Sequence, residues 1–459
     1  MQRFSLCGRR GYAICLSTGL ILLLAAVSTG AQDAAAPGLA QSAVSQPVSI
    51  TLEEAIHRAQ ANEPSYATAL ADSRVAALDR SIARAGLLTG VTYHNQYLYT
   101  QPLVNQAGQP VSSQTTPRFI ANNGVHEYFS QGVVDETIGV AQVADVRRAN
   151  AAAALAAAEL EISRRGLVSA VSGLYYGVIA ADHKLAIAER AKSEASDFTS
   201  LTDKREKQRE SAHADVVKAQ LQQQQREREL SDARLAAEKA RLELGVLLFP
   251  DPRTAYTVAA QESPQLASRA DVEQAAGKNN PELRSALAAL NQGNAEVLAA
   301  RGAYLPSLGL NYSYGIDAPQ FAVNGPDKVR NLGYSASVTL DIPVWDWLAM
   351  EHKVKQSEIR RDVAKVALTA TQRRFIARLD EAFAEAAAAR DQLASLDASV
   401  NTAEESLRLT KMRYTGGEAT VLEVVDAQTA FVTAENARED GRVRFQAALA
   451  DLQTLTGTM

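Results

Sequence analysis

The chain has 459 residues, of which 46% are hydrophobic and 6% aromatic, and its formal net charge is −5. This acidic balance, without a basic face, argues against nucleic acid as a partner. Both cysteines, Cys7 and Cys15, lie within the first 31 residues. If that segment is removed, the remaining chain has no disulfide and no cysteine-based metal site.

The first 31 residues have the pattern of a secretory signal peptide. Arg3, Arg9 and Arg10 precede an apolar segment over 14–27, and small residues follow up to Ala31, where we expect cleavage. A retained membrane anchor is the alternative, which the shortness of the apolar run disfavours. We expect residues 32–47 to be flexible. Because no later apolar run reaches about eighteen residues, we expect any membrane crossing to be made by strands.

The next elements form one unit. Its opening, TLEEAIHRAQANEPSYATALAD over 51–72, predicts an amphipathic helix interrupted between Asn62 and Pro64. Residues 91–100 alternate as a strand, and a partner strand over 125–135 is inferred mostly from symmetry. A proline-free stretch rich in helix formers then predicts helices over 137–204 and 212–248.

A second unit repeats this plan. ADVEQAAGKNNPELRSALAA over 270–289 is again interrupted, at Asn280 and Pro281, and LEVVDAQ over 422–428 matches ADVVKAQ over 214–220. A spacing of roughly 210 residues indicates duplication of a whole unit rather than a solenoid. Strands are predicted over 307–316 and 332–342, and helices over 348–411 and 420–456. The predicted domains are repeat 1 over 48–248, a linker over 249–268 and repeat 2 over 269–459.

The strands of the second unit carry a specific signal. SLGLNYSYGI and LGYSASVTLDI place apolar and tyrosine residues on one face and small polar residues on the other. This alternation over about ten residues is typical of an outer-membrane barrel strand, although a soluble hairpin would also alternate. Four strands leave two open edges that lipid cannot satisfy, and they cannot close into a barrel alone. We therefore predict an obligate oligomer.

The long helices have narrow apolar seams. A helix of about sixty residues spans roughly 90 Å, more than a globular core uses. Leu221, Leu235, Leu242 and Phe249 recur at multiples of seven, which favours coiled-coil-like packing. In the last helix, a stripe that starts at Val421 and Val424 is interrupted by charged residues, Glu435 among them, and resumes at Phe445.

Three phrases carry a family resemblance: AYLPSLGLNYSYG over 303–315, DIPVWDW over 341–347 and LRLTKMRYTGGEATVLEVVDAQ over 407–428. With the repeated openings, they resemble the TolC family of outer-membrane efflux proteins from about Val48 to Gly457. The resemblance implies a mainly α protein with a small β part. Long antiparallel helices would form a periplasmic α-barrel, and four strands per chain would contribute to a shared transmembrane β-barrel in a homotrimer. It also implies a periplasmic adaptor and an inner-membrane pump as partners, and contact with outer-membrane lipid.

The segment 407–428 predicts a tight turn between two helices. Gly416 and Gly417 can adopt the left-handed backbone that ends a helix, and Thr420 and Glu423 have capping-box spacing. The resemblance further implies a tip that docks the adaptor and a gate one helical turn beyond it. For the tip it points to Gly416, Gly417, Glu418, Ala419, Thr420, Ser211 and Ala212. For the gate it points to Glu423, Asp426 and Tyr414, with Ala419 at the position of the family's gating arginine.

No motif for chemistry accompanies these features. The sequence contains no GxSxG, phosphate-binding glycine loop or HExxH, and its six histidines are scattered. We therefore predict no catalytic, cofactor or metal site. Trp345 and Trp347 beside Pro343 are interpreted as interfacial anchors, or as packing at a bend.

The predicted function is a passive exit duct in the outer membrane, serving a tripartite efflux or type I secretion system. The alternatives are an exported coiled-coil scaffold or adhesin without channel activity, and an exported enzyme whose site has no recognisable motif.

Overall fold

The computed structural model describes residues 48–100, 125–259, 265–278, 280–325 and 328–457. The predicted signal peptide over 1–31 and the segment over 32–47 lie outside these residues. Within the described ranges, none of the helices combines the length and the hydropathy needed to cross a bilayer. The five-segment domain division stays a prediction.

Two successive sets of elements follow the same order. The first comprises β1 (Val48–Ile50), α1 (Leu52–Asn62), α2 (Pro64–Ala85), β2 (Gly90–Tyr99), β3 (His126–Ile138), α3 (Val140–Lys207) and α4 (His213–Leu248). The second comprises β4 (Tyr256–Val258), α5 (Arg269–Lys278), α6 (Pro281–Gly302), β5 (Ser307–Ala318), β6 (Leu332–Asp341), α7 (Ala349–Thr415) and α8 (Val421–Thr456). The predicted helices and hairpin strands are all present, with ends displaced by a few residues.

Prolines begin two of the helices. Pro64 and Pro281 occupy the first helical position of α2 and α6, where a missing N–H costs nothing. The side chains of Glu63 and Asn280 accept hydrogen bonds from Ser65 N and Leu283 N. The interruptions predicted near Asn62 and Asn280 are therefore true helix boundaries.

Four strands form one antiparallel sheet in the order β2-β3-β5-β6. Its register places the alternating residues of all four strands on a common face: Tyr97 lies opposite Tyr128, Val134 opposite Tyr312, and Tyr314 opposite Tyr334. Many of these side chains are exposed, among them Tyr93, Tyr312 and Val338. β3 gave a poor sequence signal because Ser130, Gly132 and Glu136 fall on this face. The sheet is open, with β2 and β6 as its edges.

Helices continue the sheet in two layers of contacts. Next to the sheet, α2 packs on α3, α3 on α6 and α6 on α7. Further along, α4 packs on α3, α3 on α8 and α8 on α7. The helices at the two sides of the chain are therefore α2 and α4 on one side, and α7 on the other.

A short parallel ladder, which was not predicted, joins the residues just before α1 to those that follow α4. β1 pairs with β4, and the hydroxyl of Tyr175 on α3 donates to both flanking segments, at 3.1 Å to Ile50 O and 2.8 Å to Ala259 O. Burial raises the pKa of Tyr175 to about 12, so this hydroxyl keeps its proton at neutral pH.

The predicted seam on α4 is only partly buried. Phe249 is buried, but Leu221, Leu235 and Leu242 are exposed, so these three leucines make no coiled-coil-like packing within the single chain. The packed face of α4 instead carries Val216, Ala219, Leu230, Ala237 and Leu244. Small residues on this face bring α4 close to α3, and the larger leucines point away.

Two buried glutamates, Glu435 and Glu439, lie where the apolar stripe of α8 is interrupted. Glu435 accepts a hydrogen bond from Arg190 at 3.0 Å, and Glu439 contacts His183 at 2.8 Å and Arg442 at 3.0 Å. Burial opposes ionisation of Glu439, but the His183 hydrogen bond and the nearby Arg442 and Arg438 charges hold its pKa below the usual range. Glu439 can therefore lie between helices as a charged group.

Candidate functional site at the helical-hairpin tips

The two helical hairpins, α3–α4 and α7–α8, end in turns that share a pattern of backbone hydrogen bonds. In the first turn, Arg209 N donates to Glu206 O at 2.8 Å and Glu210 N to Arg205 O at 2.9 Å. In the second, Gly417 N donates to Tyr414 O at 3.1 Å and Glu418 N to Arg413 O at 2.9 Å. Residues 208–213 therefore correspond one by one to residues 416–421.

The left-handed position of each turn differs in residue type. Gly417 has φ of 81°, as predicted, whereas Gly416 is in the right-handed region with φ of −77°, so only one of the two glycines uses the left-handed backbone. At the position of Gly417 the first turn has Arg209, with φ of 64°. A side chain in this region costs roughly 1–2 kcal/mol. The first turn thus reaches the same shape without glycine, but under strain.

Capping also differs between the turns. The predicted capping box is present at the start of α8: Glu423 N donates to Thr420 Oγ1 at 3.3 Å, and Thr420 N donates to Glu423 Oε1 at 3.2 Å. At the corresponding start of α4, Ala212 offers no side-chain acceptor. Ser211 Oγ instead hydrogen-bonds Asp215 at 3.4 Å.

Tyr414 lies in a small apolar cluster that joins the two hairpins. Its side chain is buried against Phe198, with ring centroids 5.1 Å apart, and Val421 and Val424 complete the cluster. The Tyr414 hydroxyl lies 3.3 Å from Thr202 Oγ1, which itself donates to a backbone carbonyl, so the tyrosine is the donor. Ala419 packs against the same cluster, which leaves this position facing inward.

An arginine from the other hairpin covers the tyrosine. The Arg205 guanidinium carbon is 4.8 Å from the centroid of the Tyr414 ring. Arg205 Nη1 donates to Tyr414 O at 2.5 Å, and Nη2 donates to Thr415 O at 3.4 Å. The contact combines a cation–π interaction with capping of the last carbonyls of α7. We call Arg205, Thr202 and Tyr414 the tip brace.

The two acidic residues predicted for the gate, Glu423 and Asp426, have different surroundings. Glu423 is exposed but engaged, because it completes the capping box and its Oε2 lies 3.4 Å from Arg413 Nη1. Asp426, one turn further, is exposed and has no ion pair among the described residues. Asp426 therefore presents a free negative charge, whereas Glu423 presents one that a cation already compensates.

The sequence predicted most residues of this site, Ser211 and Ala212 of the first hairpin included, but not the residues of α3 that contact Tyr414. Phe198, Thr202 and Arg205 carry no local motif, and they meet Tyr414 only because α3 and α7 end at the same level. The periodic signal that could have indicated them is the match of ADVVKAQ to LEVVDAQ, which aligns the two turns.

The described residues contain no cluster of His, Cys, Asp and Glu suited to a metal ion. At the tips, the arrangement consists of packing, hydrogen bonds and charges that connect two hairpins.

The fold matches solved outer-membrane channels over most of the chain. A membrane protein from Pseudomonas aeruginosa aligns with a TM-score of 0.74 and 22% identity, covering 89% of this chain and 91% of that one. VceC, an outer membrane protein from Vibrio cholerae, aligns with a TM-score of 0.73 and 19% identity, covering 88% and 96%. The CmeC outer membrane channel of Campylobacter jejuni gives 0.73 and 16%, covering 88% and 85%. The chain therefore has the fold of these solved membrane proteins, one of which, CmeC, is an outer membrane channel.

Comparison with known sequences points to the same kind of protein as the fold does. Residues 272–458 match the family model of the outer membrane efflux protein. Outer membrane protein OprJ of Pseudomonas aeruginosa is 29% identical over 175 residues, 38% of this chain and 36% of that protein. Proteases secretion protein PrtF of Dickeya chrysanthemi is 26% identical over 195 residues, 41% of this chain and 42% of that protein. The matched segments thus span less than half of either relative.

The resemblance to the TolC family of outer-membrane efflux proteins, predicted from the sequence, is confirmed by the family match over residues 272–458 and by these folds. The predicted location, the cell outer membrane with a helical tunnel on the periplasmic side, is confirmed with it.

Proposed function

We propose that this protein is the passive exit duct of a tripartite efflux or type I secretion system, acting as a homotrimer without enzymatic activity. The observation that carries the proposal is the open four-stranded sheet, whose exposed apolar face and two unpaired edges continue into long helices. A sheet of this kind is stable in lipid only if further copies complete it.

The number of strands supports three copies. An eight-stranded barrel from two copies would have an interior just wide enough for side chains, whereas twelve strands enclose a lumen. β6 and β2 run antiparallel at the two edges, so β6 of one copy can pair with β2 of the next.

The helices at the two sides of the chain carry matching apolar stripes. Val75, Leu78 and Ile82 are exposed on α2, and Ile359, Val363 and Val366 are exposed on α7, at spacings of three and four residues. The exposed leucines of α4 continue this pattern away from the sheet. Stripes of this width suit helix packing between neighbouring copies, and the outward α4 seam would then be buried in the trimer.

The tip brace is proposed to hold the inner mouth closed. In this proposal Arg205 has the role of the family's gating arginine, whose position is occupied here by Ala419. Arg205 can have that role because it connects the end of α7 to the neighbouring hairpin. Opening would separate α7 and α8 from α3, which breaks the contacts of Tyr414 with Arg205 and Thr202.

Below the brace, Asp426 and Glu423 are proposed to form acidic rings around the threefold axis. Rings of like charge attract cations and resist anions. The turns themselves, residues 416–420 with Ser211 and Ala212, are proposed to dock a periplasmic adaptor that connects to an inner-membrane pump. The relatives OprJ, an outer membrane protein, and PrtF, a proteases secretion protein, fit this role.

Fractionation and sizing test the duct. The protein should sediment with outer membranes and elute in detergent as a trimer resistant to SDS. A water-soluble monomer whose tyrosine-rich sheet face is covered by its own chain would contradict the proposal and favour the scaffold alternative.

Single-channel recording tests the brace. Arg205→Ala should raise the conductance or open probability in planar bilayers, and Tyr414→Phe, which removes only the hydroxyl bond to Thr202, should have a smaller effect. Arg408→Ala is the matched control, since in the described part of the chain Arg408 hydrogen-bonds to Glu405 and Met412 of its own helix. Equal conductance of Arg205→Ala and the control would remove the brace from the gate.

A further inference from the structure

The connection from β6 to α7 carries an unpartnered aromatic segment. Val344, Trp345 and Trp347 are 88%, 68% and 84% exposed, and Trp347 and Leu348 have φ of 58° and 65°. The two indoles contact each other edge to face at 5.8 Å. In the first unit, Gly139 alone connects β3 to α3, so the longer connection belongs to the second unit only. We call residues 342–348 the tryptophan strap.

The two units can be matched residue by residue at this level. Pro64 and Pro281 begin helices of 22 residues each, and counting onward matches Leu88 with Leu305, Gly90 with Ser307, and Val91 with Leu308. Gly90 pairs with Asp135 and Ser307 with Asp341, which matches Asp135 with Asp341. By the same counting, Ile138 corresponds to Val344 and Gly139 to Trp345.

The contact between the two units inside the chain is therefore a template for the contact between copies. β3 pairs with β5, with Ile138 opposite Leu308, and Val140 fits against Gly302. The elements that correspond to β3 and β5 at the chain's sides are β6 and the β2 of the next copy. Replacing each residue by its counterpart sets Val344 opposite Val91, and Leu340 opposite Asn95.

The edge that receives the strap is also exposed. Leu88 and Val91 are 73% and 74% exposed at the junction of α2 and β2. The template places them at the level of Trp345 and Trp347, so two apolar patches at opposite sides of one chain meet when copies close into a ring. A second copy of this chain, and not lipid, is thus the occupant that the geometry selects.

We infer that the tryptophan strap of one copy packs on the α2–β2 junction of the next and clasps the channel where its strands meet its helices. The inference rests on the proposed function, because it requires a closed ring of copies. Trp347, which lies beyond the counterpart of Gly139, adds an apolar group that the first unit lacks, at a junction where neighbouring copies have no covalent link.

Disulfide formation tests the clasp. In a chain whose Cys7 and Cys15 are replaced by Ser, the double variant V344C/V91C is oxidised in outer membranes and run on a non-reducing denaturing gel. Directly opposed residues have Cβ atoms about 4.5–5.5 Å apart, close enough for a disulfide after small adjustment. We expect most chains to run as covalent dimers and trimers. The matched control, V344C/L308C, uses the second-unit counterpart of Val91 and should give no linked copies.

A second pair separates failure of the clasp from failure of the duct. L340C/N95C reports on the strands between copies, at a position four residues before Val344. Linked copies for both pairs support the clasp. Linked copies for L340C/N95C alone overturn it and leave the trimer standing, with the strap facing lipid. A monomer without linkage by either pair overturns both the clasp and the proposed function.

Discussion

Arg209 and Gly417 occupy the same place in two turns of the same shape, and only one of them suits it. Replacing Arg209 with Gly removes the left-handed strain, although the unfolded chain gains freedom, so the variant should be more stable by up to about 1 kcal/mol. Gly417→Ala should have the opposite effect, a loss of about 1 kcal/mol, because no neighbouring atom obstructs a Cβ there and only the backbone is strained.

Thermal unfolding followed by circular dichroism in detergent measures both changes. Equal melting temperatures for Arg209→Gly and the parent would mean that the first turn relaxes to a different backbone in solution.

Asp426 and Glu423 should differ in how strongly their replacement relieves block of the channel by multivalent cations. Asp426→Asn should relieve block by multivalent cations more than Glu423→Gln, since Asp426 is free and Glu423 is already paired with Arg413. Glutamine at 423 can keep the capping hydrogen bonds, so folding is preserved. A larger effect of Glu423→Gln would show that the Arg413 contact is broken in the assembled channel.

At the scale of the elements, sequence reasoning succeeded where a signal is local and repeated. The alternation of apolar and small polar residues predicted β5 and β6. The proline-free stretches predicted the long helices to within a few residues of their ends. β3 required symmetry because Glu136 interrupts its face. The β1–β4 ladder was missed because three-residue strands, about two hundred residues apart, have no local signal. The Arg205–Tyr414 contact was missed for the same reason.

Helix α8 should show a pH dependence that its buried carboxylate explains. The pKa of Glu439 is lowered from 4.5 in the folded state, so its contribution is fully present above pH 4.5 and is lost as the pH falls through the lowered value. Glu439→Gln should therefore flatten the decline of melting temperature as the pH falls below 4.5. Asp440→Asn, which breaks an exposed pair with Lys184, should leave the profile unchanged. Parallel profiles for Glu439→Gln and the parent would contradict this.

At the scale of the whole molecule, the sides of the chain should decide assembly. A charge within the apolar stripes, as in Leu78→Glu on α2 or Val363→Glu on α7, should reduce or abolish the SDS-resistant trimer, because the carboxylate would be buried without a partner. Asp79→Ala, one residue from the stripe and exposed, is the control. A trimer unaffected by both stripe variants would place the contacts between copies elsewhere.

The likeness between the internal contact of β3 with β5 and the outer edges has a genetic consequence. In a closed ring, half of the junctions are enclosed within single polypeptides and half are formed by encounter, yet all follow one geometry. Two polypeptides divided within 260–264 should therefore find each other when they are expressed together. A single gene of half the length, given the strap of the second unit, could in principle build the ring from six identical pieces.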